Sequence, residues 1–338
     1  MVNRVAHLGG NIAVGRVSHG LMMMCFPVGG KSDEDCFESI KAGVDALPAG
    51  AKAFLNAGEF YSSTGGTENL ELLARFYAKY PDYADKTFIS VKGGIVRGKR
   101  MPDCSMDNLR RSVETITKAL GPLKKLDLYE PARIDPNVPV EDMMQSLAVL
   151  LKEGHFTHIG LSECSAKTLR RAHAVYPVTA VEIEVSLWSY EQETKDVIAT
   201  AAELGVAVAA YSPIGRGFLI GKIKSRADFA EGDFRAGLSR LSDENIDHNL
   251  RMVEEILAIA ENKGVTPAQL CIAWVAALGP HVIPLPGSSK AERTLENLQG
   301  GDVELKAQEV AELTAIAERG DVKGGRYFGG AEMQYLWG

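Results

Sequence analysis

The chain has 338 residues, 24% of them charged, and a formal net charge of −7, a balance that argues against nucleic acid as the main partner. Its five cysteines (Cys25, Cys36, Cys104, Cys164 and Cys271) are scattered and lack Cys-x-x-Cys spacing, so neither a disulfide framework nor a metal site is expected. No run approaches ~18 uninterrupted apolar residues and the N-terminus has no long apolar leader core, so no membrane partner is expected and the reduced cytoplasm is the expected compartment.

In chain order, the first predicted strand is Val17–Cys25, with the methionine triplet Met22-Met23-Met24 read as part of it. Ser32-Asp33-Glu34-Asp35 then opens a predicted helix over Asp33–Leu47. Strand Ala53–Asn56, helix Glu68–Lys79, strand Thr87–Lys92 and helix Asp107–Leu120 follow. The alternation continues through strand Leu126–Glu130, helix Val140–Glu153, strand His158–Leu161 and helix Ser165–Ala174. Strand Ala180–Glu184, helix Thr194–Leu204 and strand Val206–Tyr211 lead into a long loop, Ser212–Asn245, of the kind that is usually functional. An additional helix, His248–Asn262, precedes helix Pro267–Leu278, strand Val282–Pro284 and helix Ala291–Leu298. A last helix, Lys306–Arg319, and a Gly-rich tail, Gly324–Gly338, close the chain. Gly121, Gly154, Gly205 and Gly264 stand where left-handed helix caps are expected.

Eight strand-then-helix units without a break in composition predict one α/β domain over 1–338, a (β/α)₈ TIM barrel with extra helices after the seventh strand and at the C-terminus. The competing doubly wound sheet would want a Gly-rich turn after its first strand, and Met22-Met23-Met24-Cys25 is a poor match.

The chemistry that stands out is a Tyr and a Lys at the ends of two successive strands, in Asn56-Ala-Gly-Glu-Phe-Tyr61 and Ser90-Val-Lys-Gly-Gly94. A phenol has a reference pKa near ~10, and a neighbouring ammonium favours its ionised form. The pair therefore points to a proton donor for carbonyl chemistry, with Lys92 expected to lower the Tyr61 pKa. Two other readings stand beside it: a Tyr packed under a loop with a rim Lys paired to a carboxylate, and a Schiff-base lysine.

Together with Leu126-Asp-Leu-Tyr129, Ile159-Gly-Leu-Ser-Glu163, Ala210-Tyr-Ser-Pro-Ile-Gly215 and Ile283-Pro-Leu-Pro-Gly-Ser288, these segments resemble the aldo-keto reductases, and most resemble the fungal pyridoxal reductases. The resemblance implies an NADPH-dependent carbonyl reductase acting on a small-molecule aldehyde, with pyridoxal reduced to pyridoxine. A broad aldehyde or ketone reductase, or a low-turnover protein like the cofactor-sensing subunits of channels, are the alternatives it leaves. It implies Tyr61 as general acid and Lys92 as its activator. Asn56 stands where the family has an Asp, and Ala132 where it has a His. Without an acid at position 56, the field of Lys92 on Tyr61 is expected to be less neutralised.

The same resemblance assigns Gly20 and Met22, together with Ser162, Glu163 and Glu182, to the nicotinamide end of the cofactor, and Tyr211 to stacking on its ring. Ser212, Ile214 and Gly217 would wrap the pyrophosphate, with Arg216 as a phosphate clamp. Ser288, Lys290 and Arg293 would bind the 2′-phosphate and Glu296 and Asn297 the adenine, although Gly287 replaces a frequent Lys. The substrate pocket would take its walls from Ala132, Arg133, Trp188 and Trp337, with Tyr327, Phe328 and Tyr335 of the tail. Arg133 is expected to form a rim salt bridge with Asp135.

Overall fold

Two-residue periodicity runs through every central strand. In Phe54-Leu-Asn56 and Phe88-Ile-Ser-Val-Lys92 the even-numbered side chains face one way and the odd-numbered the other. The protein is described from a computed structural model covering residues 4–26, 31–96, 98–99, 101–319, 321–328 and 334–338; residues 329–333 of the tail lie outside the described residues. The chain opens with a hairpin, β1 (Val5–Leu8) and β2 (Ile12–Gly15). Then come β3 (His19–Gly20), β4 (Ala53–Gly58), β5 (Thr87–Gly93) and β6 (Leu126–Pro131). The set ends with β7 (Phe156–Ser162), β8 (Ala180–Glu184), β9 (Ala207–Tyr211) and β10 (Val282–Leu285). Strands β3 to β10 form one parallel sheet in sequence order. The Ser18 N–H donates to the Pro284 carbonyl and the Gly20 N–H to that of Pro286, both at 2.9 Å, so β3 meets β10 and the sheet curls into a barrel.

Helices α1 (Asp33–Asp45), α2 (Glu68–Lys79), α3 (Met106–Leu120) and α4 (Val140–Lys152) follow the strands in turn. So do α5 (Ala166–Val175), α6 (Gln192–Leu204), α8 (Pro267–Ala277) and α9 (Ala291–Gly300). The additional helices α7 (Ile246–Lys263) and α10 (Ala307–Glu318) stand where the sequence places them. Odd-numbered strand residues such as Leu55, Val91, Tyr129, Val181 and Ile183 join the helices in the outer core. Even-numbered Phe54, Phe88, Leu128 and Ala180 fill the barrel, with Ala207, Ala209, Ile283 and Leu285, and pack on Ala6, Leu8 and Val14 of the hairpin. The hairpin thus plugs the amino-terminal end, and the polar even-numbered residues are left for the carboxyl-terminal end. Among the described residues, no helix is long and apolar enough to cross a membrane.

Three expectations need correction. The first barrel strand is only His19–Gly20. The Leu21 N–H still bonds to Asn56 O at 2.9 Å, but the Met24 N–H turns back to Leu21 O, so Met22–Cys25 is a 3₁₀ turn. Gly205 and Gly264 are left-handed caps, and Gly154, directly after α4, has φ 84° and lets the His155 N–H bond back to Leu150 O at 3.3 Å; Gly121 departs from the expectation, with φ 70° but an extended ψ. The loop after β9 carries four 3₁₀ turns, and its Phe218, Leu219, Leu238 and Leu241 are buried.

Candidate active site

The segment after β4 is anchored before it is functional. The Glu59 N–H donates to Lys92 O at 2.8 Å, and its carboxylate receives Ser112 Oγ (2.6 Å) and the Arg111 guanidinium (2.5 Å) from α3. This clamp fixes the turn that carries Tyr61. The phenol ring folds back over Gly58, where an added Cβ would lie 2.9 Å from it, and packs edge-on against Phe60. Lys92 follows Phe88 and Ser90 on the inward face of β5 and sets its Nζ 5.3 Å from the Tyr61 ring centroid.

Lys92 is buried and ion-paired with Glu182 of β8; its Nζ also donates to Asn56 Oδ1 at 3.3 Å. Asn56 Nδ2 donates to Glu182 Oε2 at 2.6 Å and to Glu130 Oε1 at 3.3 Å, and Ser90 Oγ donates to Glu130 Oε1 at 2.7 Å. Burial alone would pull the Lys92 ammonium down, but Glu182, Tyr61 and Glu130 raise it well above its ordinary value. Burial, the charge of Glu182 and a shared hydrogen bond with it push the Glu130 carboxyl far up, against the opposing pull of Lys92 and Ser90. Gly160 makes room for that carboxyl; a Cβ there would stand 3.1 Å from Glu130 Oε2.

This arrangement reverses one expectation. Burial pushes the Tyr61 phenol up to about 12; Lys92 pulls it down, and Glu182 and Glu130 push it up again. The missing acid at position 56 therefore does not leave Lys92 unneutralised. Glu182 also departs from its expected place beside a carboxamide, because both of its oxygens are engaged by Lys92 and Asn56.

A second cluster joins β7, β8 and β9 to the tail. Arg326 donates to Glu163 Oε1 (2.6 Å), to Glu184 Oε2 (3.2 Å) and to Tyr211 Oη (3.0 Å). Tyr211 Oη donates to Glu163 Oε1 (2.7 Å) and lies 2.6 Å from Tyr327 Oη. Arg216 pairs with Glu184 at 2.9 Å and donates to the Arg326 carbonyl, so it is not an open phosphate clamp. Burial would raise the Glu184 carboxyl, but Arg216, Arg326 and Arg240 bring it down to about 2; Arg326 and Arg133 likewise hold Glu163 below the usual carboxylate range. Arg133 does not bridge to Asp135. It donates to Ala132 O (2.6 Å) and Tyr327 Oη (3.2 Å), while Asp135 accepts from Cys104 N and Asn137. Three buried atoms of this cluster have no partner: Ser162 Oγ, Glu163 Oε2 and Arg326 Nη1.

The remaining expected residues surround these clusters. Gly20 touches Gly287 through an isolated bridge, and Met22 begins the 3₁₀ turn beside it. Ser212 and Arg216 have left-handed φ of 54°, as does Glu163; with Trp337, they are the non-glycine residues of that kind among the described ones, and all lie at this end. Ile214 precedes the 3₁₀ turn Gly215–Gly217 that Arg216 occupies, and Gly217 ends it. Ser288 Oγ closes the entry to α9 by accepting from the Lys290 N–H, and Lys290 and Arg293 are exposed and outside any ion pair among the described residues. Glu296 and buried Asn297 lie on the second turn of α9. Ala132 is buried and offers no donor. Trp188 is not a pocket wall: it is 3% exposed and stacks on Phe218 at 5.0 Å. Trp337 lies under Arg326, 5.2 Å from its guanidinium. Sequence reasoning missed Glu59, Glu130 and Arg326. Glu130, an even-numbered acid at a strand end, carried a signal in the two-residue period; Arg326 carried none.

The profile of the Aldo/keto reductase family matches residues 20–318. An aldo-keto reductase of Strobilurus tenacellus is 36% identical over 302 residues, covering 88% of this chain and 85% of that protein. A probable pyridoxal reductase of Schizosaccharomyces pombe is 31% identical over 319 residues, covering 93% and 95%. Among solved structures, a glycerol dehydrogenase from Gluconobacter oxydans shares the fold with a TM-score of 0.78 at 22% identity, covering 94% of this chain and 96% of that one.

Proposed function

The chain belongs to the aldo/keto reductase family, and from that premise we propose that it reduces an aldehyde with NADPH, Tyr61 giving the proton, and that pyridoxal is its substrate. The observation that carries this reading is the buried Tyr61 phenol held beside the Lys92 ammonium at the carboxyl ends of the strands, where barrels of this kind build their sites. With a pKa of about 12 the phenol stays protonated at working pH, so it serves as an acid rather than as a phenolate base.

The unpartnered atoms of the mouth fit a nicotinamide. A primary amide presents one acceptor and two donors. Ser162 Oγ and Arg326 Nη1 supply donors for its oxygen, and Glu163 Oε2 supplies an acceptor for its NH₂. The bound cofactor would supply the hydride. Lys290 and Arg293 at the start of α9 are the cations offered to a 2′-phosphate, which supports NADPH over NADH. Ala132 removes one donor that would polarise the carbonyl, a loss worth about 3 kcal/mol. Pyridoxal has a phenol beside its aldehyde that offsets that loss internally, and the likeness to a probable pyridoxal reductase supports the same substrate.

The test is NADPH oxidation with pyridoxal, its 3-deoxy analogue and simple aromatic aldehydes, repeated with NADH. Pyridoxal should be preferred over its deoxy analogue, and Tyr61→Phe should lower turnover by at least about 10²-fold while cofactor still binds. Cofactor binding with no turnover of any aldehyde would overturn the enzymatic reading; equal rates with the deoxy analogue would overturn the substrate.

A further inference from the structure

We propose that Glu182 is the counter-charge of Lys92, a positioning residue that replaces, from across the barrel, the acid absent at position 56. The geometry is a closed set. Lys92 stands on β5 and Glu182 on β8, two strands that are not neighbours in the sheet, and their side chains meet inside the barrel. Asn56 donates to Glu182 at 2.6 Å and accepts from Lys92 at 3.3 Å, so it bridges the pair that an Asp at its position would otherwise make alone. All three residues are buried, at 7% exposure or less. A buried ammonium of this kind needs a partner.

The charged and titratable groups facing Tyr61 come from three strands: Lys92 of β5, Glu130 of β6 and Glu182 of β8. Those facing Lys92 are Glu182, Tyr61 and Glu130, with the Tyr211 ring 5.8 Å away. Burial and the neighbouring Glu182 push the Glu130 carboxyl far up, and it is Glu182 that makes the ion pair with Lys92. Moving that charge from β8 to position 56 conserves the total. Removing it together with Glu130, which the loss of Glu182 would free to ionise, exposes Tyr61 to the full field of Lys92.

This inference rests on Tyr61 being the proton donor. Its test combines the basic limb of the reduction rate with ultraviolet difference titration of the cofactor-free protein, each background measured with and without Tyr61→Phe, so that the phenol is read even without turnover. The wild type should show no Tyr61 ionisation up to about pH 10.5. In a Glu130→Gln background, where no second carboxyl can take over, Glu182→Gln should bring the phenol down by about one pH unit or more, into the observable range. Asn56→Asp added to Glu182→Gln restores the buried charge, and should return both the ionisation and the basic limb to the wild-type position. That double variant also covers the case in which the single variant fails to fold. A Tyr61 ionisation unmoved by Glu182→Gln in the Glu130→Gln background, or a double variant that keeps the lowered value or does not fold, would overturn the proposal. Loss of turnover with the titrations behaving as described would overturn the enzymatic reading alone.

Discussion

Tyr61 reaches its position because residue 58 has no side chain. A Cβ at Gly58 would stand 2.9 Å from two atoms of the phenol ring, closer than carbon atoms pack, and the ring would have to swing off the strand end. Gly58 has an ordinary φ, so Gly58→Ala strains only this contact and not the backbone. We expect the variant to fold with stability within about 1 kcal/mol of wild type, and to lose on the order of 10²-fold in turnover, as displacements near 1 Å do. Steady-state rates beside a urea titration check it; unchanged turnover would mean that the ring does not set the rate. The pH profile makes a second demand on the same residue. A phenol at about 12 keeps its proton, so reduction should hold its rate up to about pH 10, and a basic limb of Tyr61 origin near neutrality would contradict this placement. Tyr61 and Lys92 were legible in the sequence because each sits in a short local pattern. Their electrostatics were not: the carboxylate that offsets Lys92 lies 90 residues away, on a strand whose inward face becomes known only when the barrel closes.

At the scale of elements, the tail is the piece with the least local signal and the most consequence. Arg326 follows α10 in an irregular segment, yet its guanidinium is buried between Glu163 at the end of β7 and Glu184 at the end of β8. Removing one partner of a buried ion pair leaves an uncompensated charge, at a cost of about 3–5 kcal/mol. Arg326→Ala should therefore destabilise by about that amount at pH 7. The sign with pH follows from Glu184, whose folded pKa of about 2 lies below its ordinary 4.5. Its stabilisation is fully present above pH 4.5 and is lost as pH falls towards 2; without Arg326 less remains to lose. The gap between wild type and variant should narrow on acidification in denaturation experiments, and a gap constant with pH would count against the pairing. The alternation of strands and helices was readable because each unit carries its own periodicity. The opening hairpin was missed although Gly9 and Gly10, both with positive φ between two short strands, are the expected turn signal. The methionine triplet misled because its apolar character fits a strand, while the Met24 N–H turns back to Leu21 O and closes a 3₁₀ turn.

The barrel as a whole depends on a seam between its first and last strands, and one histidine makes that seam sensitive to acid. His19 Nε2 donates to the Ser288 carbonyl at 2.9 Å, which fixes the tautomer and leaves Nδ1 bare. Nδ1 is buried without a partner, facing Gly43 of α1 at 3.6 Å from where a Cβ would stand. A proton arriving there would meet no acceptor, and burial accordingly lowers the His19 pKa to about 4, against a smaller upward pull from Ser288. The unfolded chain takes up that proton near pH 6.5, whereas the folded barrel resists it until about 4. The contribution of this residue should thus begin to fall below pH 6.5, with about 2 kcal/mol lost by pH 5 and the loss complete near pH 4. The carboxyls that arginines hold down begin to contribute only below about 4.5, whereas Glu130, held up, adds stability as pH falls through the same window in wild type and variant alike, so the difference between the two proteins isolates the seam. His19→Gln retains a donor for Ser288 but binds no proton. In urea titrations its stability relative to the wild type should rise by about 2 kcal/mol between pH 7 and 5, and a parallel pH dependence in the two proteins would place the acid sensitivity elsewhere.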